Sequence, residues 1–110
     1  MNIREAAKND CVHMDALLTK LIRYEARFDP NLSPEVVIED NYAGQIAAKG
    51  CKAYVAEDHG IIVGYLYGFT YRIPQVLLQP IAIVDALYVE EGYRGKGIAK
   101  DLFRRFQEFA

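Results

Sequence analysis

Residues 83 to 106 read IVDALYVEEGYRGKGIAKDLFRRF, and this stretch decides the fold. From Ile81 to Val89 the residues are mostly branched or aromatic, interrupted by Asp85, which predicts a β-strand. Glu90, Glu91 and Gly92 make a turn. Arg94-Gly95-Lys96-Gly97 is a basic glycine loop that runs straight into an amphipathic helix. There Ile98, Leu102, Phe106 and Phe109 recur at helical spacing as one apolar stripe. Glycines at a helix start let a ligand approach the backbone, and the first N–H groups of the helix point out of its end. The positive pole of the macrodipole lies there too, so an anion such as a phosphate is the natural guest. Arg94, Lys96 and Lys100 add full charges. The stretch predicts a phosphate cradle.

Spacing decides which phosphate ligand. A P-loop needs G-x-x-x-x-G-K-[ST]; Gly92 and Gly97 are spaced for it, but Ile98 and Ala99 stand where Lys and Ser or Thr are required. A dinucleotide fingerprint needs G-x-G-x-x-G; Gly95 and Gly97 fit, but Lys100 fills a position that must be small for helix–strand packing. Both readings fail at residues they physically require.

Arg94-Gly95-Lys96-Gly97-Ile98-Ala99, preceded by Leu87-Tyr88-Val89, matches a different pattern: R/Q-x-x-G-x-G/A after a strand ending in an L-x-V-like triplet. That is the acetyl-CoA signature of the GNAT family of N-acetyltransferases, which this chain strongly resembles.

The upstream order agrees. Asn2 to Ala6 reads as a first strand. Asn9 or Asp10 can cap a helix with Met14, Leu17, Leu18, Leu21 and Ile22 on one face, running into Phe28 and stopped at Asp29-Pro30. Ser33-Pro34-Glu35 predicts a second helix ending near Gly50. Lys52 to Glu57 and Ile61 to Ile73 flank Asp58-His59-Gly60 as a hairpin. Val76, Leu77 and Leu78, between Pro74 and Pro80, extend a strand or sit in a loop. Strand, helix, helix, three strands, loop and helix is the first part of the GNAT fold: an α/β (α+β) architecture with a mixed, mainly antiparallel sheet flanked by helices.

The family continues after this helix with another strand, another helix and a closing pair of strands. The resemblance therefore implies one C-terminally truncated domain over residues 1–110. It would be a shortened product or one completed by another chain.

Composition bounds the alternatives. The chain has 110 residues, about half of them apolar and a quarter charged, enough for a small globular core. Its net charge of −2 argues against broad nucleic-acid binding. Gly92 to Arg105 nevertheless holds five Lys or Arg against one acid, Asp101, a local positive field suited to a phosphorylated ligand. Cys11 and Cys51 stand in no metal spacing, and His13 and His59 read as a helix-surface and a turn residue. No metal is expected. With neither a signal peptide nor a long apolar run, the chain is expected to be cytoplasmic and free of the membrane.

The resemblance also implies roles. Arg94 to Lys100 (with Gly95, Lys96, Gly97, Ile98 and Ala99) would hold the pyrophosphate of acetyl-CoA as cosubstrate. Leu87, Tyr88 and Val89 would flank its pantetheine arm, with Val89 pairing its backbone as an added strand would. The Leu87 N–H, left unpaired by a bulge, would face the developing oxyanion. Asp85 is a candidate general base. A carboxylate in that apolar run is expensive to bury unpaired, and desolvation would raise its pKa; the competing reading is a bulge residue that satisfies backbone donors. The family's usual acid, a tyrosine on the helix after the next strand, would lie beyond Ala110. Tyr65, Tyr67, Tyr71 and Tyr88 read more simply as packing residues.

The expected function is an acetyl-CoA-dependent N-acetyltransferase acting directly on a primary amine of a small molecule or peptide. Polyamine-like acceptors are a lean from Asp85 and the tyrosine-rich strand. The alternative is a catalytically inactive CoA-binding or protein-interaction module, its open sheet edge and unburied Phe103, Phe106 and Phe109 seeking a partner. Either reading allows a homodimer or other self-association.

Overall fold

The computed structural model describes residues 1–71 and 81–109. Four strands, β1 (Asn2–Glu5), β2 (Cys51–Asp58), β3 (Ile61–Tyr71) and β4 (Ile81–Val89), form one antiparallel sheet in the order β1-β2-β3-β4. The helices are α1 (Cys11–Glu25), a single turn α2 (Tyr42–Gln45) and α3 (Ile98–Phe109), with 3₁₀ turns at Lys8–Asp10 and Glu91–Tyr93. The segment Val76 to Leu78 and the predicted end of the third strand at Ile73 lie outside the described residues.

Alternation along the strands makes two cores, one on each face of the sheet. Ala53 and Val55 of β2 join Tyr65, Tyr67 and Ala86 beneath Cys11, Met14 and Leu17 of α1. Tyr54 and Ala56 turn the other way and meet Ile98, Leu102 and Phe106 of α3, together with Val63, Leu66 and Val89. Two bulges adjust this parity. Val63 is the extra residue between Ile62 and Gly64, which pair with Glu57 and Ala56. Asp85 is the extra residue between Val84 and Ala86, which pair with Gly68 and Tyr67. The β2–β3 turn is shorter than the Asp58-His59-Gly60 connection expected, since Asp58 ends β2 and leaves a two-residue loop, His59 and Gly60, both at positive φ, 50° and 77°.

The second helix departs from expectation. Instead of running from Ser33 to near Gly50, the chain is irregular to Asn41 and makes only the Tyr42–Gln45 turn. Its backbone groups are taken by side chains elsewhere. Ser33 Oγ accepts the Glu35 N–H at 3.2 Å, a local bond that competes with helix. Arg23 of α1 donates to the Val36 carbonyl at 2.8 Å, and Ile38 N–H donates to Thr19 Oγ1 at 2.9 Å. Buried Asp15 accepts the N–H groups of Asn41 and Tyr42, each at 3.2 Å. Helix α1 also ends earlier than Phe28, unwinding after Glu25 through turns at Arg27 and Phe28.

Asp10 does not cap α1 through its side chain. Its carboxylate accepts two bonds from Arg4, at 2.7 and 3.0 Å, and one from Ala7 N–H at 2.7 Å, while Arg4 also reaches Glu57 at 3.1 Å. The Arg4 guanidinium holds the Asp10 carboxyl below its usual range. A depressed folded pKa gives stability that is complete above the ordinary aspartate value of about 3.9 and is lost as pH falls through the folded one. Asp10→Ala is therefore expected to lower stability at pH 7 by about 2 kcal/mol. It should also flatten the pH dependence of stability below pH ~4, with urea midpoints measured from pH 2 to 7 as the check.

Candidate active site

The glycine loop runs directly into α3, as its sequence implied. Gly95 and Gly97 take φ of 80° and 82°, a left-handed backbone that favours glycine. A Cβ at either would meet no atom within 4 Å, so it is conformation rather than crowding that requires glycine there. The Gly97 carbonyl accepts the Asp101 N–H at 3.0 Å, which starts α3 on the spot. The first N–H groups of the helix then have no acceptor inside it. A concavity of about 300 Å³ opens at this end, lined by Val89, Arg94, Gly95, Gly97, Ile98, Ala99 and Lys100. Ile98 sends its side chain into the core, so it offers the cavity its backbone, whereas Lys96, Ala99 and Lys100 are exposed.

Strand β4 runs to the same place. Glu90 N–H bonds to the Val63 carbonyl at 2.8 Å. Paired residues in an antiparallel ladder alternate between bonded and non-bonded. In the register Gly64–Val89, Tyr65–Tyr88, Leu66–Leu87, the bonded residues are thus Tyr88 and Ala86. Leu87 and Val89 direct their N–H and C=O groups to the opposite edge, where no strand pairs among the described residues. The Val89 carbonyl there accepts Arg94 Nε at 2.8 Å, and the Arg94 guanidinium lies 5.3 Å over the Tyr88 ring. The outward donor expected at Leu87 is present for a different reason from the one anticipated. The bulge sits at Asp85, and Leu87 is free because no strand pairs with that side of β4 among the described residues.

Asp85 itself is exposed, not buried, as are Ile81, Ala82 and Ile83 earlier in the same strand. The desolvation on which its role as a base was argued is absent. It stands instead beside a buried tyrosine group. Tyr42 and Tyr65 share a hydroxyl–hydroxyl bond of 2.9 Å, and Tyr67 donates to Cys51 Sγ at 3.3 Å. Burial pushes the Tyr42 hydroxyl up to about 12 and those of Tyr65 and Tyr67 higher still, and the nearby Asp85 charge adds to each. These phenols stay protonated at neutral pH. Tyr65 and Tyr67 are core residues, as their strand positions suggested.

A model of the acetyltransferase (GNAT) domain matches residues 49–110, from the start of β2 through the cradle and α3. The chain belongs to the GNAT family of acetyltransferases. The fold agrees with solved members. An acetyltransferase from Vibrio fischeri superposes with a TM-score of 0.81 at 25% identity, over 99% of this chain and 85% of that one. Ribosomal-protein-alanine N-acetyltransferase from Brucella melitensis biovar Abortus 2308 gives 0.70 at 21%, over 99% and 70%. An aminoglycoside N-acetyltransferase in complex with CoA gives 0.70 at 17%, over 98% and 69%. No curated protein matches the sequence.

Two contacts that anchor this GNAT loop escaped sequence reasoning. Lys20 of α1 grips Glu90 at 2.7 and 2.9 Å, and the Tyr93 hydroxyl donates to Asp58 at 2.8 Å. The partners lie 70 and 35 residues apart, and no local pattern announces either. A larger groove, about 710 Å³, follows the flank of α1 against residues 37–43 and contains none of the sequence-nominated residues. Among the described residues there is no group of three metal-ligating side chains, and no helix long and apolar enough to cross a membrane.

Proposed function

We propose that this chain is an acetyl-CoA-dependent N-acetyltransferase that acylates a primary amine of a small molecule or peptide by direct attack. The observation that carries this reading is the cavity at the start of α3. It combines left-handed glycines, unpaired helix N–H groups and the basic side chains Arg94 and Lys100. A pyrophosphate fits that donor set.

When bound, acetyl-CoA supplies the thioester carbonyl that the amine attacks; a C–N bond forms, the C–S bond breaks, and the proton lost by nitrogen is balanced by one gained at sulfur. The outward Val89 N–H and C=O suit the amides of a pantetheine arm lying along the β4 edge, once Arg94 releases the carbonyl. The Leu87 N–H, two residues back on the same edge, suits the carbonyl oxygen that gains charge during attack. Asp85 holds the cationic acceptor at the bulge and takes its proton directly or through water. Asp85→Asn removes the charge that would hold the cationic acceptor and is expected to lower kcat/KM about tenfold, chiefly through acceptor binding. Steady-state kinetics with a primary amine check it, and an unchanged kcat/KM removes Asp85 from the mechanism.

The open β4 edge and Phe103, 43% exposed, favour the alternative of an inactive CoA-binding or interaction module that self-associates. Phe106 does not, for it is core at 1% exposure, and Phe109 packs on the same cluster. Calorimetric titration with acetyl-CoA, with the mass in solution recorded alongside, followed by a turnover assay, separates the two. Saturable binding with turnover supports the enzyme; binding without turnover supports the module.

A further inference from the structure

We infer that Asp58, in the β2–β3 turn, is a positioning residue for the phosphate cradle, acting through the hydroxyl of Tyr93. This rests on the acetyl-CoA reading of that cradle and deepens it.

The loop from Glu90 to Gly97 leaves the sheet at one end and enters α3 at the other, with left-handed glycines at 95 and 97. Such joints free the loop's backbone; Arg94 is held by the Val89 carbonyl, but Lys96 has no hydrogen-bonded partner of its own among the described residues. Tyr93 is the tether between them and the sheet. Its N–H closes the 3₁₀ turn on the Glu90 carbonyl at 2.9 Å, its half-buried ring packs on the α3-side core, and its hydroxyl reaches Asp58 Oδ2 at 2.8 Å. Asp58 is fixed where it ends β2, ahead of the left-handed pair His59 and Gly60. The hydrogen bond to Asp58 raises the Tyr93 pKa, which keeps the hydroxyl a donor.

The same ring carries Lys96. Its ammonium lies 5.5 Å from the ring centroid, so fixing the ring restrains the cation that stands between the two glycines of the cradle. Asp58 is engaged by Tyr93 and, at 3.6 Å, by His59; among the described residues no carboxylate pairs with Lys96. The charge of Lys96 is thereby left for the ligand. A bond at the surface contributes little to global stability, yet it sets the geometry of a loop that has few other anchors. Its effect falls on binding through preorganisation.

Tyr93→Phe tests this. The ring stays and only the hydroxyl goes. The thermal midpoint is expected within about 2 °C of wild type. The Kd for CoA should rise about five- to tenfold while that for pantetheine, which lacks the pyrophosphate, is unchanged. Asp58→Ala should match it, the double variant should be no weaker than either single one, and Asp58→Asn, whose amide oxygen still accepts, should recover most of the affinity. In the ligand-free protein, amide exchange from Gly95 to Ile98 should quicken in Tyr93→Phe but not in β2 or α1. If Asp58→Ala fails to fold, the Tyr93→Phe results stand alone. Unchanged CoA affinity and exchange, or equal weakening toward CoA and pantetheine, overturns the role of Asp58. Wild-type chain that binds no CoA overturns the acetyl-CoA reading itself.

Discussion

Gly97→Glu abolishes CoA binding while the chain stays folded: this is the expected result at the cradle. No atom lies within 4 Å of a Cβ built at Gly97, so the substitution creates no clash. It does place a side chain on a residue at φ 82°, which costs about 1–2 kcal/mol for an L-residue. That strain is affordable in a folded domain but falls on the backbone that must present the first N–H groups of α3. The larger effect is charge. A carboxylate within about 4 Å of a phosphate in a medium of effective dielectric 20 is repelled by ~4 kcal/mol. Solvent reduces this, and a loss of about a hundredfold in affinity remains a conservative expectation. Gly97→Ala separates the contributions, since it carries the strain without the charge and should lose about tenfold. Calorimetry gives the affinities and thermal melts confirm the fold. Wild-type affinity in Gly97→Glu removes the phosphate from this site.

What could be read from the sequence was what local contacts decide. Strand β4, the turn, the glycine loop and α3 fill one continuous stretch, and each is fixed by residues within it. The stripe Ile98, Leu102, Phe106 is buried as its spacing demanded, and Gly95 and Gly97 take the backbone that only glycine adopts easily. The second helix failed for the opposite reason. Ser33-Pro34-Glu35 is a sound helix start, but Thr19, Arg23 and Asp15 of α1 claim the backbone of Val36 to Tyr42 from 13 to 27 residues away. Long-range hydrogen bonds outweighed a local propensity worth a few tenths of a kcal/mol per residue. The bulges were equally hidden. A carboxylate in an apolar run reads as buried, but the first part of β4 is exposed, Ile81, Ala82 and Ile83 included, and Asp85 with it. The Leu87 N–H faces away from β3 because of the ladder's alternation, not because of the bulge.

Gly68→Ala is expected to cause the largest loss of stability of any single methyl added to this sheet. A Cβ at Gly68 would stand 2.5 Å from Phe106 Cζ and 2.6 Å from the Ile83 carbonyl oxygen. Neither neighbour yields cheaply. Phe106 is 1% exposed, walled in by Leu66 and Leu102, and Ile83 is backbone next to the β4 bulge. Overpacking of this kind costs about 3 kcal/mol or more, a large share of the 5–15 kcal/mol that holds a domain together. Urea unfolding measures it, and a change below about 0.5 kcal/mol overturns the account. Phe106→Leu in the same chain should return part of the loss, since it removes the ring but leaves the carbonyl where it is. The consequence reaches the cradle. Phe106 is what seats α3 against β3, and the N-terminal end of α3 is the proposed anion site. Ala at 68 therefore pushes the helix off the strand and is expected to weaken CoA binding from the far side of the fold. Gly97→Ala strains only the loop it belongs to and should lower stability by no more than the about 1–2 kcal/mol of that strain. One glycine protects the position of the helix, the other its end, and the first should cost the more stability of the two.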